Sequence, residues 1–535
     1  MTDPNREPPD PDALRRARLA MAMGRRDEAV AHFAAALDGC TGTTADHFDF
    51  GVILHGLGRL SEAAEQFKAS TGLPDASENT SLNLARTRLK LGESVQAVAA
   101  FDESLRRGAG LDARSDRLFA LNYVPDLSEA TVAEEHFREG AAFGREVRGR
   151  GDFESLRAEP GGTPIRLGIL SPDLRSHPIG WFLRPLLPRL RTMGFELLAY
   201  SSTPSPDAVT AELRAACSTW HECLGAPDSK VEADAIADRP HVLLDLSGHT
   251  ARNRMPLVAR RLAPVQIQWI GYPNTTGVGS VDHAIGDPIE TPPESHPFFS
   301  EKVVTMPDAY VCYVPHGSAR ESPRPSASNG HVTFGSLNNP SKIHPGVLEA
   351  WATILRGVPG SRLLLRYQTY ADPRLCARYA AFFDERGIDP DRLELIAGGT
   401  PEEAIATYER IDLALDTFPY SGGLTTCEAV SRGVPVVALR GRGFAGRHSA
   451  THLSNAGLGD WVTEDLDRYV ALAIERASEP SRLETLRKRL PAELSSTPLG
   501  DADRFARHFA EAIRLMVAQW RDGAAPQAIA VPRLV

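Results

Sequence analysis

The sequence predicts an all-α repeat array followed by two doubly wound α/β lobes. Three observations carry this reading. Gly24, Gly58 and Gly92 recur every 34 residues, and Ala29, Ala63, Ala97 and Phe33, Phe67, Phe101 keep the same step. From residue 165 onward, short apolar runs alternate with helical lengths, and this alternation breaks off and restarts once. Finally, 535 residues with 42% hydrophobic and 24% charged content suffice for several packed cores and do not suit a disordered chain.

The repeat comes first in the chain. Each copy reads G-x-x-x-x-A-x-x-x-F, and a fixed period of this length means stacked helical pairs. The glycine ends the first helix of a pair, where a residue without Cβ takes φ > 0. The small alanine lets the two helices approach, and the phenylalanine four residues on packs the next unit. The pattern resembles the tetratricopeptide repeat over residues 12–108. Such arrays present a concave face to a peptide, so a protein partner and a separable acceptor-binding module are expected. Residues 109–160 read as a helical connection.

The first lobe is expected over 161–316, with strands at 165–170, 195–200, 241–246 and 265–270. A Ser/Pro/Arg-rich linker follows at 317–330. Strands at 332–336, 362–366, 392–397, 412–415 and 435–439 place the second lobe at 331–500. Valine, isoleucine and leucine runs bounded by Gly and Pro suit buried parallel strands, whose carboxyl ends are where ligands bind, in a cleft between lobes. A last helix covers 501–520, its stripe of Phe505, Phe509, Ile513 and Met516 spaced for core contact.

Composition excludes some functions. With 59 basic and 69 acidic residues the net charge is −10, which argues against nucleic-acid binding over the whole surface. No apolar run approaches membrane-spanning length and no signal-peptide pattern opens the chain, so no membrane partner is expected. The six cysteines show no C-x-x-C spacing and read as reduced thiols of a cytoplasmic protein, with neither zinc nor a disulfide framework.

Chemistry-bearing residues cluster after strands. In L-D-T-F-P-Y-S-G-G-L-T-T-C-E-A, Gly422 and Gly423 permit a tight turn, and Thr425 and Thr426 fall where a helix begins. Free N–H groups and hydroxyls there suit a phosphate, with Glu428 spaced for a ribose diol; the alternative is a plain N-cap by Thr425. The loop F-G-S-L-N-N-P-S-K ends in Lys342, a cation for a phosphate. His177, in S-P-D-L-R-S-H-P, is a candidate proton carrier or donor. His249 in D-L-S-G-H-T and Pro273, Asn274 and Thr275 in W-I-G-Y-P-N-T-T-G are sugar-pocket candidates.

Together these motifs resemble the O-GlcNAc transferase and SPINDLY-like family, glycosyltransferase family 41, over about 165–520, and look like its bacterial members. The resemblance implies a GT-B fold of two Rossmann-like lobes, the second holding the nucleotide, with the final helix crossing back to the first. It implies inverting transfer of GlcNAc from UDP-GlcNAc to Ser/Thr hydroxyls of a protein, without a metal or other cofactor. On the matching positions, Lys342 contacts the diphosphate, Asn339 is its polar neighbour, Thr425 and Thr426 hold phosphate, and Glu428 meets the ribose. His177 matches the histidine near the reacting centre and Asp234 an aspartate relaying the acceptor proton; the general base stays open between these and a phosphate oxygen. The chain departs from animal members at Leu424 and Ala237, each in place of His, and at Pro401-Glu402-Glu403-Ala404, in place of Lys-x-x-His. An asparagine ladder in the repeats is not kept, since Asn83 has Asp49 and Arg15 as its equivalents. Other donors or acceptors on this fold (O-fucosyl from GDP-fucose, N-glucosyl to Asn, a non-protein acceptor) and an inactive peptide-binding scaffold are the competing readings.

Overall fold

The computed structural model describes residues 9–38, 40–143, 153–160, 162–316 and 323–534. Residues 144–152 of the expected connection and 317–322 of the expected linker lie outside the described residues. The chain divides into two compact units, Met1–Val124 with Gly335–Ala404, and Pro125–Phe334 with Ile405–Val535.

In the first unit the repeats are helical pairs: Pro11–Ala22 with Arg26–Leu37, Thr44–Gly56 with Leu60–Thr71, and Glu78–Lys90 with Ser94–Arg106. Gly24, Gly58 and Gly92 separate the members of each pair at φ +72°, +77° and +78°. Ala29, Ala63 and Ala97 and the three phenylalanines are all 0% exposed, so the period read from sequence is the packing period. The repeats do not stand free. Arg374 pairs with Glu65 at 2.7 Å, Arg378 with Glu93 at 2.6 Å, and Asp372 accepts the Ser61 N–H at 2.5 Å. The repeats share a compact unit with the helix Pro373–Asp384.

The strands are β1 (Ile165–Ser171), β2 (Phe195–Ser201), β3 (Thr219–Glu222), β4 (Val242–Asp245), β5 (Val265–Gln268), β6 (His283–Gly286) and β7 (Lys302–Thr305). They continue as β8 (Thr333–Ser336), β9 (Arg362–Arg366), β10 (Leu393–Ile396), β11 (Leu413–Leu415), β12 (Val436–Leu439), β13 (Val462–Thr463) and β14 (Ile529–Ala530). The first sheet has the order β14-β7-β6-β5-β4-β1-β2-β3, and the second β10-β9-β8-β11-β12-β13. The pairings in register are parallel, as in Ile169 opposite Ala199 and Leu244, so their carboxyl ends share one edge of each sheet. These are the two sheets of a GT-B fold.

In the second unit the helix Ala502–Arg521 packs on the first sheet's lobe, its Phe509 ring 4.5 Å from Trp269 and its Asp503 bound by Arg189 at 2.6 Å. Loops after β4 and β5 are pressed backbone to backbone: a Cβ on Gly271 would lie 1.9 Å from the Leu246 carbonyl oxygen. The helix Glu129–Phe143 closes on the same loops, since a Cβ on Gly140 would lie 2.1 Å from the Gly277 carbonyl oxygen.

Gly140→Ala is expected to cost about 1–3 kcal/mol or more, because backbone on both sides must move apart. Gly279→Ala, with open space around the added methyl, is the matched control and should leave the urea midpoint nearly unchanged. Equal midpoints for the two variants would show that the helix does not rest on this loop.

Candidate functional site

The Gly422–Glu428 segment follows β11 and opens the helix Leu424–Ser431. Gly423 is the N-cap residue and has no side chain of its own to cap the helix. Thr425 and Thr426 are therefore inside the first turn, and the plain N-cap alternative for Thr425 does not describe the structure. The dipole at this helix start favours a nearby anion, while the Thr426 N–H itself is bonded to the Gly423 carbonyl at 3.2 Å.

The turn is built to stay open. Asp416 Oδ1 accepts the Gly422 N–H at 2.7 Å, and a Cβ on Gly422 would meet Thr426 Oγ1 at 2.5 Å and Asp416 Oδ1 at 3.0 Å. Ser449, from the helix His448–Asn455, donates to the Gly422 carbonyl at 2.8 Å and pairs with Thr426 Oγ1 at 2.7 Å. The Tyr408 hydroxyl donates to the Thr425 carbonyl at 2.9 Å.

Glu428 is half-buried on this helix. Burial pushes its carboxyl up to about 8, against the opposing pull of Arg432 and a hydrogen bond with Tyr408. The group is thus mostly protonated at neutral pH, and a ligand offering two hydroxyl donors favours its ionised form.

Lys342 and Asn339 lie in the other compact unit. Lys342 ends the short 3-10 turn Pro340–Lys342, half-buried, and the Asn339 side chain caps that turn by accepting the Ser341 N–H at 3.1 Å. The segment Pro401–Ala404 is the start of the helix Pro401–Thr407, where Glu403 accepts from Arg366 at 3.2 Å.

His177 caps the helix Pro178–Thr192, with Nδ1 accepting the Ile179 N–H at a long 3.4 Å. Its Nε2 stands 3.9 Å from Asp173 Oδ1. Burial lowers the ring's pKa, opposed by Asp173. A neutral ring with Nδ1 occupied this way carries its proton on Nε2, so it is set to donate. Asp234 has other company: Lys230, and His221 Nδ1 at 3.7 Å. The structure thus gives His177 and Asp234 different partners rather than one relay.

The sugar-pocket candidates sit on the loops after β4 and β5, with no exposed polar side chain. His249 is 0% exposed, with Nε2 on the Thr276 carbonyl at 2.8 Å, and burial lowers its pKa to about 4. Thr275 is also 0% exposed and donates to Glu301 at 2.6 Å; Asn274 accepts the Thr275 N–H at 2.8 Å. Together with Pro273 they lie on two loops, where His249 is bonded to the Thr276 carbonyl and Thr275 to Glu301.

Sequence reasoning missed three neighbours. Trp181, one turn after His177, stacks on His316 at 3.9 Å, and Arg432 donates to the His316 carbonyl at 3.0 Å. Arg432 had a signal, its i+4 spacing from Glu428; Trp181 and His316 had none. Among the described residues, no group of three or more His, Cys, Asp or Glu side chains is placed to hold a metal ion, and no helix is long and apolar enough to cross a membrane. The six cysteines are all free.

Because the Glu428 carboxyl rises from 4.5 to about 8 on folding, the folded protein keeps a proton that the unfolded chain releases. Its contribution to stability is complete below the unfolded value and is lost as pH climbs through the folded one. Glu428→Gln should therefore gain melting temperature relative to wild type between pH 5 and 8.5. A gap that stays constant over that range would mean the carboxyl is not shifted.

The profile of glycosyl transferase family 41 matches residues 152–316 and 324–509. SPINDLY of Petunia hybrida, named a probable UDP-N-acetylglucosamine–peptide N-acetylglucosaminyltransferase, is 33% identical over 425 residues, 78% of this chain and 45% of its own. SPINDLY of Arabidopsis thaliana is likewise 33% identical, over 78% of this chain and 46% of its own. The chain thus spans about half the length of the curated relatives it matches. A mutant O-GlcNAc transferase of Thermobaculum terrenum superposes with TM-score 0.82 at 28% identity, covering 96% of this chain and 98% of that one. With the family profile matched across both sheets and the helix start at Gly422–Glu428 lying within that match, the chain belongs to glycosyl transferase family 41.

Proposed function

We propose that the protein transfers GlcNAc from UDP-GlcNAc to Ser/Thr hydroxyls of a protein acceptor, with inversion and without a metal. The observation that carries this is the start of Leu424–Ser431, where a glycine turn, two threonines and Glu428, its carboxyl pushed up to about 8, meet on one helix. The diphosphate is bound by the helix dipole and the hydroxyls of Thr425 and Thr426, and the ribose diol by Glu428. Lys342 supplies the fixed cation. The activity for which the SPINDLY relatives are named and the name of the Thermobaculum terrenum enzyme support the donor and the protein acceptor.

In this reaction the acceptor oxygen attacks the anomeric carbon from the face opposite the departing diphosphate. The C–O bond to phosphate breaks, its electron pair stays on the β-phosphate, and the acceptor's proton passes to a base. Charge thus grows on phosphate as the sugar leaves. A preorganised cation and helix N-terminus stabilise that charge more than the ground state. His177, with its proton on Nε2, serves as a donor to the leaving oxygen rather than as the base. Asp234 and a phosphate oxygen remain the bases to test.

One observation favours a second donor. The segment that carries Lys-x-x-His in animal members here carries Glu403, committed to Arg366, so the base-side contacts differ. GDP-fucose is the rival this leaves, and a thermal-shift panel of UDP, GDP, UDP-GlcNAc and GDP-fucose decides between them.

UDP should raise the melting temperature with EDTA present; loss of that shift on chelation sinks the metal-free mechanism. Lys342→Ala and Lys342→Met should each lower kcat by about 10²–10³ in a folded protein. Near-normal turnover in either variant would remove Lys342 from the site. Reduced UDP affinity with full kcat at saturation would make it a uniform binding contact.

A further inference from the structure

Gly24, Gly58 and Gly92 hold equivalent places in three repeats, and all sit in the left-handed region. An alanine at any of them meets the same backbone strain. Their surroundings differ. A Cβ on Gly24 would have nothing within 4 Å, and one on Gly58 would only touch Ala371 Cβ at 3.9 Å. A Cβ on Gly92 would lie 2.6 Å from the Ile343 carbonyl oxygen and 2.9 Å from that of Pro340.

Those two carbonyls bracket Lys342. The turn they belong to is short and closed, with the Lys342 N–H bound to the Asn339 carbonyl and the Ile343 N–H to the Pro340 carbonyl, both at 2.9 Å. Arg378 fixes the repeat against the same region, donating to Glu93 and to the Leu91 carbonyl, each at 2.6 Å. Beside the contact lies a cavity of about 270 Å³ lined in part by Leu91, Ile343, Leu348 and Tyr379. A methyl at position 92 thus presses on a rigid turn that has room to shift as a body.

We infer that the Gly92 turn is a strut that sets the position of the Lys342 loop, making the third repeat a positioning element for the cation. This rests on the reading of Lys342 as the cation for the donor phosphate. It gives the repeats a second task besides acceptor capture: any tilt of the third repeat, as on engaging a protein, moves Lys342 with it.

The test uses the full chain carrying Gly24→Ala, Gly58→Ala or Gly92→Ala. All three should lose melting temperature from the shared strain, and Gly92→Ala more, from its added contact with backbone. Only Gly92→Ala should speed hydrogen–deuterium exchange across residues 337–344, by about tenfold or more. It alone should lower kcat at saturating donor, by between about tenfold and a hundredfold, as for a misplaced catalytic group. Combined with Lys342→Ala it should cost nothing further, because the cation it positions is gone. Equal exchange in Gly24→Ala and Gly92→Ala overturns the strut, and so does a multiplicative loss in the double variant. If the wild-type protein turns over no nucleotide sugar, the functional reading falls, and the exchange comparison still decides the strut.

Discussion

Much of the second unit hangs on one buried carboxylate. Asp287, 0% exposed, lies just past β6 and accepts the N–H groups of Ile289, Glu290 and Tyr310 at 2.8–2.9 Å. It also accepts the Thr451 hydroxyl at 2.5 Å. Three of these bonds fold the loops after β6 and β7; the fourth reaches the helix His448–Asn455, whose Ser449 backs the Gly422 turn. Burial raises the carboxyl's pKa and the four donors oppose that rise. Deleting such a group strands several buried donors, each at about 1–3 kcal/mol. The Gly422 turn is thus tied, through the helix His448–Asn455, to loops of the first sheet that close around Asp287.

The second unit buries further ionisable groups close to Asp287. Arg447, 5% exposed, donates to Ser295 at 2.7 Å and pairs with Glu129 at 3.1 Å. Glu290 beside it is fully buried, 3.1 Å from His448 Nδ1, and burial holds its carboxyl well above the usual range. Buried ion pairs contribute little net stability, but each partner becomes costly to remove alone. The result is a junction that tolerates few partial arrangements, which suits a support for a binding turn.

Legibility in the sequence followed the physics of each element. The repeats were plain because glycine, alanine and phenylalanine each do one job at a fixed period. Strands such as β1, β2 and β9 were readable to within a residue, being apolar runs bounded by breakers. β3, β6 and β7 were missed: T-W-H-E, H-A-I-G and K-V-V-T are four residues each and carry too little pattern. The helix start at Thr425–Thr426 was legible from the glycine pair. The supports behind it, Asp416, Ser449 and Asp287, were not, since an acid or serine that accepts or bridges buried backbone looks like any other polar residue. For His249 and Thr275 the residues were legible and their partners were not. Small polar residues after a parallel strand suggest a ligand, yet here they satisfy a buried loop.

The placement of β14 bears on how the chain is made. It pairs with β7, while the helix before it covers Trp269 and holds Arg189 from 314 residues away. Glu129 likewise waits for Arg447, 318 residues further along. On the ribosome, the first sheet's lobe would emerge with its β7 edge unpaired and one face uncovered until β14 and the helix before it were made. Domains usually fold in the order they emerge, but this lobe closes only after the second sheet has been synthesised. Until then its bare edge is a surface for chaperones, or for another nascent chain.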